Sequence, residues 1–243
     1  MYRYKCIISY DGHNYMGFQI QEELPTVELE IKKALYKLLN LDIKIYPSGR
    51  TDRGVHAINQ VIHFDLEKFI PEDGIKNGIN AFLPPNIHFK KVELVDENFH
   101  ARFSVKLKEY RYYINTGDYD PLRYNYEEYI TNINYEIMSE AIKRFIGTHD
   151  FKGFASASID KRKDTVKTIT DAYINNYGGI LEFVFIGTGF LKYQIRRMMG
   201  LLVEIGRGKE SIEKIDLVLN SKDPSISHRS LDGKGLYLFD VTY

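Results

Sequence analysis

Apolar and polar residues alternate from residue 3 to residue 10, placing Tyr4, Cys6, Ile8 and Tyr10 on one face. A period of two predicts a strand with one side buried. The period then changes. Val27, Ile31, Ala34, Leu35 and Leu38 recur at helical spacing behind Thr26, a candidate N-cap. Residues 43–46 and 55–64 read as two strands around a glycine-rich loop. A weaker helix starts near Pro71 and runs to about Phe82, carrying Ile75 and Ile79 despite Gly74 and Gly78. Residues 87–95 read as a strand. The first half is thus β-α-β-β-α-β.

The second half repeats that order. Residues 105–115 form a strand, and Asn134 caps a helix bearing Ile137, Ala141, Ile142 and Phe145. Residues 165–175 and 180–186 are strands joined by the turn Asn176-Tyr177-Gly178-Gly179. Helices are expected over 190–205 and 211–220, and a closing strand over 235–243. Residues 117–133, rich in Asp, Tyr and Asn, read as a surface loop. The pattern predicts an α+β protein of two tandem ferredoxin-like halves. Residues 1–104 form the first, and residues 105–243 the second. Nothing between them resembles a flexible linker, so the halves are expected to pack tightly, and a cleft between them is the expected place for a site.

Composition narrows the class without naming a function. The chain has 243 residues, 44% hydrophobic and 27% charged, with 33 basic and 33 acidic residues. No apolar run approaches the roughly 18 residues needed to cross a membrane. Residues 1–11 lack the apolar block of a signal peptide. A single cysteine, Cys6, allows neither an internal disulfide nor a cysteine-based metal cluster. Its place in the first strand makes it a small buried hydrophobe. A cytoplasmic protein is the simplest expectation. Zero net charge is less basic than a general polyanion binder, so contact with nucleic acid would require clustered basic groups. Three clusters exist. Arg102, Lys106, Lys108 and Arg111 lie within 100–111; Lys192, Arg196, Arg197, Arg207 and Lys209 lie within 189–209; residues 161–163 are Lys-Arg-Lys. Taken singly, each cluster reads as a solvated face.

One stretch carries chemistry. In residues 48–57, Ser-Gly-Arg-Thr-Asp-Arg-Gly-Val-His-Ala, one carboxylate (Asp52) sits between Arg50 and Arg53, and Gly49 and Gly54 bracket the three. Flanking guanidinium groups favour an ionised carboxylate and can grip phosphate. On a tight loop, such a carboxylate has the character of a nucleophile for a polyanionic substrate. An Arg-x-Asp triplet alone reads first as a surface turn with a local ion pair, since structural ion pairs outnumber catalytic ones.

The string GRTDRGVHA resembles the active-site motif of the tRNA pseudouridine synthase A family. The likeness runs along nearly the whole chain. It includes Tyr10-Asp11-Gly12, Tyr15-Met16-Gly17-Phe18-Gln19, Gln60-Val61-Ile62-His63-Phe64 and Asn80-Ala81-Phe82-Leu83-Pro84. It continues through Phe99-His100-Ala101-Arg102-Phe103-Ser104, Tyr110-Arg111-Tyr112, the stretch from Gly189 to Gly200 and Gly235-Leu236-Tyr237-Leu238. Two positions depart from the family pattern. Phe18 stands where tryptophan is common, and Arg53 where a small residue is frequent; neither removes a catalytic group.

The resemblance implies a pseudouridine synthase fold with a mostly antiparallel sheet and a central cleft. It implies isomerisation of uridine to pseudouridine at positions 38 to 40 of the tRNA anticodon stem-loop. The glycosidic bond breaks, the uracil turns, and a carbon–carbon bond forms, with no cofactor and no metal. The partners implied are tRNA and a second copy of the chain in a homodimer.

On this reading Asp52 is the nucleophile. A carboxylate can stabilise or trap the positive charge that grows at C1′, or it can add to C6 of the uracil; the sequence leaves both routes open. Arg196 lies in the helical row Arg196, Met199, Val203. A guanidinium among apolar residues pairs with an acid or snorkels to water; the resemblance implies pairing with Asp52. Arg197 is expected to point toward Tyr193 and Glu204, facing solvent or RNA. Tyr110 shares a strand face with Lys106, Lys108 and Tyr112, which alone suggests a core tyrosine. The resemblance implies that it stacks on the flipped uracil. Arg50 is the candidate for a phosphate or sugar near the target, or for an ion pair with Asp52. His56 reads as structural, and Asp11 as a turn residue. Two other classes compete: a non-catalytic RNA-binding protein on the same fold, and a nucleoside or glycoside hydrolase, which would want a second poised carboxylate.

Overall fold

The computed structural model describes residues 1–160, 162 and 164–243. In chain order its elements begin with β1 (Tyr2–Tyr10), α1 (Val27–Leu39), β2 (Tyr46–Pro47), β3 (His56–Leu66), α2 (Glu72–Phe82) and β4 (Ile87–Val95). Then come β5 (Leu107–Asn115), β6 (Glu128–Tyr129), α3 (Tyr135–Ala141), β7 (Gly147–Asp150), β8 (Val166–Tyr177) and β9 (Ile180–Gly187). The chain continues with α4 (Gln194–Gly206), α5 (Glu213–Ser221) and β10 (Leu236–Thr242). It divides into two compact units, Met1–Lys106 with Tyr237–Tyr243, and Leu107–Leu236.

In the first unit β1 lies between β3 and β4, antiparallel to both, with Tyr4 opposite Phe64 and Leu94. The short β2 pairs with β3, completing the ferredoxin-like order β4-β1-β3-β2, and β10 joins β3 in parallel. The alternation along β1 is the reason for its place at the centre. Tyr4, Cys6 and Ile8 are fully buried and Tyr10 nearly so. Burying such side chains is worth roughly 1.5–3 kcal/mol each, which offsets the entropy of ordering the strand. Helix α1 adds Val27, Ile31, Ala34 and Leu35 to the core, and α2 adds Ile75 and Ile79.

Thr26 does occupy the N-cap position of α1, but its hydroxyl makes no capping bond and is buried without a partner. The first helical N–H groups are satisfied by backbone instead: Val27 donates to the Gly17 carbonyl and Glu28 to that of Phe18. The strand expected over 43–46 is displaced. Residues 43–45 are irregular, with Ile43 and Ile45 buried, and pairing begins at Tyr46.

In the second unit the order is β5-β9-β8-β7, antiparallel throughout, with β6 in parallel on β5. β8 and β9 form a hairpin across Gly178 and Gly179. β7 has no sequence signature, since four residues without alternation carry no period. Asn134 caps α3 by accepting the Ile137 N–H at 3.0 Å, as its position predicts. The helix expected from residue 190 starts at Gln194. Tyr193 has φ +66°, a left-handed conformation that cannot continue inward from a helix, and the Gln194 side chain accepts the Leu191 N–H at 2.8 Å. The mostly antiparallel α+β architecture matches the expectation. Among the described residues no helix is long and apolar enough to cross a membrane.

Candidate active site

Residues 48–55 connect β2 to β3 in the first unit, and their backbone is held on both sides of Asp52. Before Asp52, the Ser48 hydroxyl donates to Oε1 of Gln60 at 2.6 Å, and Nε2 of Gln60 donates to the Gly49 carbonyl at 2.9 Å. The Ser48 N–H donates to the Val61 carbonyl at 2.7 Å, and the Phe18 N–H to that of Thr51 at 3.1 Å. The Thr51 hydroxyl lies 2.8 Å from that of Tyr10. Burial pushes the Tyr10 phenol up to about 12, so it stays neutral. After Asp52, the Gly54 N–H donates to the Tyr15 carbonyl at 3.2 Å and the Val55 N–H to that of Asp52 at 3.2 Å.

The segment following β1 is therefore a clamp: residues 12–18 touch the loop and, through Gly17 and Phe18, also receive the start of α1. The contact is too close for a side chain. At Gly17, with φ +103°, a Cβ would stand 2.8 Å from the Thr51 carbonyl oxygen. Asp52 is half-buried, while Arg50 and Arg53 are exposed. His56 is buried. Its Nδ1 accepts the Gly12 N–H at 3.1 Å and lies 3.1 Å from the Asp11 carboxylate, and its ring stacks on Tyr237 with centroids 4.6 Å apart. Asp11 also accepts the His13 N–H, the short turn its sequence position suggests.

In the second unit Tyr110 is 8% exposed, with its ring edge against Phe190 at 5.2 Å. Tyr110, Tyr112 and Ile114 form the buried face of β5. The opposite face is polar: Glu182 accepts from Arg111, Tyr113 and Asn175, each at 2.8 Å. Arg196 is half-buried near the start of α4. Its Nε donates to the Leu231 carbonyl at 2.7 Å, the Leu231 N–H returns to the Arg196 carbonyl, and the guanidinium lies 5.0 Å from the Tyr193 ring.

The orientation expected of Arg197 is overturned. It is half-buried and donates to the Pro224 carbonyl and the Ser227 hydroxyl, and it is Arg196 that lies over Tyr193. The left-handed turn at Tyr193 rotates the first turn of α4 relative to a helix begun at residue 190.

The basic clusters are partly spent on local acids. Arg111 binds Glu109 and Glu182, Arg207 and Lys209 both reach Glu204, and Arg162 pairs with Asp160. Lys161 and Lys163 lie outside the described residues. Arg50, Arg53, Arg102, Lys106 and Lys192 are exposed. Among the described residues no group of three or more His, Cys, Asp or Glu could hold a metal ion.

Sequence reasoning did not single out Tyr10, Thr51 or Gln60 as residues of the site. One signal points to Gln60: it is a polar residue opening the buried run 60–64 of β3, where Val61, Ile62 and Phe64 are apolar.

Comparison with known proteins shows what the chain is similar to. A family model described as tRNA pseudouridine synthase matches residues 6–104 and 141–243. A protein of Exiguobacterium sp. named tRNA pseudouridine synthase A is 40% identical over 244 residues, covering 100% of this chain and 98% of its own. One of the same name from Oceanobacillus iheyensis is 41% identical over 247 residues, covering 100% and 97%. One from Streptococcus pyogenes is 40% identical over 248 residues, covering 100% and 99%.

Proposed function

The chain belongs to the tRNA pseudouridine synthase family, and from that membership we propose that it acts on the anticodon stem-loop, at positions 38 to 40, with Asp52 as nucleophile. The activity is that of an RNA-modifying isomerase, converting uridine to pseudouridine in tRNA. The observation that carries the residue assignment is the loop itself: Asp52 is half-buried on a segment whose backbone is pinned before and after it, between two exposed arginines. A carboxylate so held can meet the charge that builds as the glycosidic bond breaks, at C1′, or can add to C6.

The remaining roles follow the same reading. Arg196, fixed by Leu231 and Tyr193, is the second catalytic group. Tyr110 offers its ring to the flipped uracil. Arg50, exposed beside Asp52, takes a phosphate or sugar oxygen near the target. The working form is a homodimer in the cytoplasm, where its tRNA is found. That dimer would persist in sedimentation at micromolar concentration without RNA.

The test is direct. The protein is incubated with unmodified tRNA transcripts, and pseudouridine is mapped by position. Formation at 38 to 40, and its loss in Asp52→Asn with folding and tRNA affinity retained, is the expected result. Near-normal yield from Asp52→Asn would overturn the assignment of the nucleophile; modification elsewhere would overturn the assignment of the target.

A further inference from the structure

Three buried polar side chains brace the 48–57 loop, Thr51 from within it and Tyr10 and Gln60 from the strands beside it. Tyr10, Thr51 and Gln60 are 4%, 7% and 0% exposed. The Tyr10 and Thr51 hydroxyls are 2.8 Å apart. The Gln60 carboxamide uses both of its ends. Its oxygen accepts from the Ser48 hydroxyl and, at 3.1 Å, from the Val61 N–H, while its nitrogen donates to the Gly49 carbonyl. Buried polar bonds are costly to leave unmade, so a carboxamide satisfied at both ends admits few arrangements of the backbone it holds. Gln60 thus holds the Ser48 side chain and the Gly49 carbonyl, and Tyr10 holds the Thr51 side chain, all on the run that leads into Asp52.

We propose that Tyr10, Thr51 and Gln60 are positioning residues for Asp52, a buried hydrogen-bonded scaffold that sets where its carboxylate stands. The inference rests on the reading of Asp52 as nucleophile. A group that must reach one atom of a flipped nucleoside tolerates little displacement, since a misplacement of about 1 Å costs about 100-fold in rate. The scaffold therefore acts on kcat, through Asp52, without touching the substrate.

Tyr4 separates this role from simple core stability. It lies on the same face of β1, is fully buried, and its hydroxyl donates to the Ile70 carbonyl at 2.8 Å and accepts the Ile70 N–H at 2.9 Å. Tyr4→Phe removes an equally buried hydroxyl at the end of the strand away from the loop.

The experiment measures kcat and KM on a tRNA transcript, together with thermal midpoints. The proteins compared are wild type, Tyr10→Phe, Thr51→Val, their double variant, Gln60→Met, Thr51→Ser and Tyr4→Phe. Tyr10→Phe, Thr51→Val and Gln60→Met should each lower kcat about tenfold or more. KM should stay within about twofold. The double variant should be no worse than its more damaged parent, as for residues acting as one unit. Thr51→Ser, which restores the hydroxyl, should restore kcat. Tyr4→Phe should lower the midpoint and leave kcat intact.

Equal kcat in Tyr10→Phe and Tyr4→Phe, additive losses in the double variant, or a loss confined to KM would overturn the proposal. If Tyr10→Phe does not fold, the contrast between Thr51→Val and Thr51→Ser decides alone. Amide hydrogen exchange over residues 49–54 needs no turnover. It should quicken in Tyr10→Phe and not in Tyr4→Phe, and unchanged exchange in both would overturn the scaffold. Near-normal yield from Asp52→Asn would instead overturn the nucleophile and leave the exchange result standing.

Discussion

Gly12 lies directly against Val55: a Cβ placed on Gly12 would fall 2.0 Å from the Val55 carbonyl oxygen and 2.5 Å from its carbonyl carbon. The neighbour is backbone, three residues past Asp52, and it cannot swing aside as a flexible side chain would. Gly12→Ala should therefore push the loop away from β1. Overpacking of this kind costs on the order of 1–3 kcal/mol, with the upper end expected where backbone must move. Denaturant unfolding would show the loss of stability, and pseudouridine formation should fall further than that loss explains. An alanine variant with wild-type stability and turnover would contradict the contact.

Arg196→Lys keeps the charge and loses the geometry. Lysine has no Nε–H to give the Leu231 carbonyl and no planar face for Tyr193. Turnover should drop by about a hundredfold, the usual effect of displacing one preorganised donor. Steady-state kinetics on tRNA should place the loss in kcat, with the thermal midpoint nearly unchanged.

Stability should depend on pH through His63. Its ring is buried, stacked on Tyr46 at 4.7 Å, and its Nδ1 accepts the Ala101 N–H at 3.1 Å. Burial first, then His100 and Arg3 nearby, push its pKa down to about 4. The unfolded chain takes up a proton on this group near the ordinary histidine value of about 6.5, and the folded chain only near 4. The contribution of His63 is thus whole above about 6.5 and is lost progressively as pH falls toward 4. Unfolding measured across that window should show stability rising with pH, with a shallower rise in His63→Gln.

Affinity for tRNA should fall steeply with salt. A neutral chain would hold RNA through a limited set of cations, for which the exposed Arg50, Arg53, Arg102, Lys106 and Lys192 are the candidates. Four phosphate contacts would weaken binding about a hundredfold between roughly 50 and 200 mM salt. A flat plot of log affinity against log salt would contradict a phosphate-led interface.

Where one chain segment decides its own structure, the sequence was legible. The alternation of Tyr4, Cys6, Ile8 and Tyr10, the stripe on α1 and the cap at Asn134 all appear as their local periods dictate. The candidate loop was legible too, because glycines and arginines around a lone carboxylate form an unusual composition. What was hidden depends on distant partners. Thr26 has the residue type of a cap, yet the backbone of Gly17 and Phe18 meets α1 instead. The left-handed Tyr193, at which the expected orientation of Arg197 fails, has no marker in a residue type that rarely adopts that conformation. Gln60 and Tyr10 reach the loop only once the register of β1 against β3 is set, and register is a property of two strands together.

The return of β10 to β3 makes the first unit discontinuous in sequence, with 107–236 inserted between its two parts. During ribosomal synthesis the order of completion is therefore reversed. The second unit has all its residues while the first still lacks Tyr237, whose ring packs on His56, and Tyr243, whose hydroxyl donates to the Ala101 carbonyl at 2.7 Å. An N-terminal domain usually folds first as it emerges. Here the nascent chain exposes an unfinished edge of β3, beside the loop that carries Asp52, until the later-made unit is already whole. Chaperone capture or aggregation of stalled chains should begin at that edge.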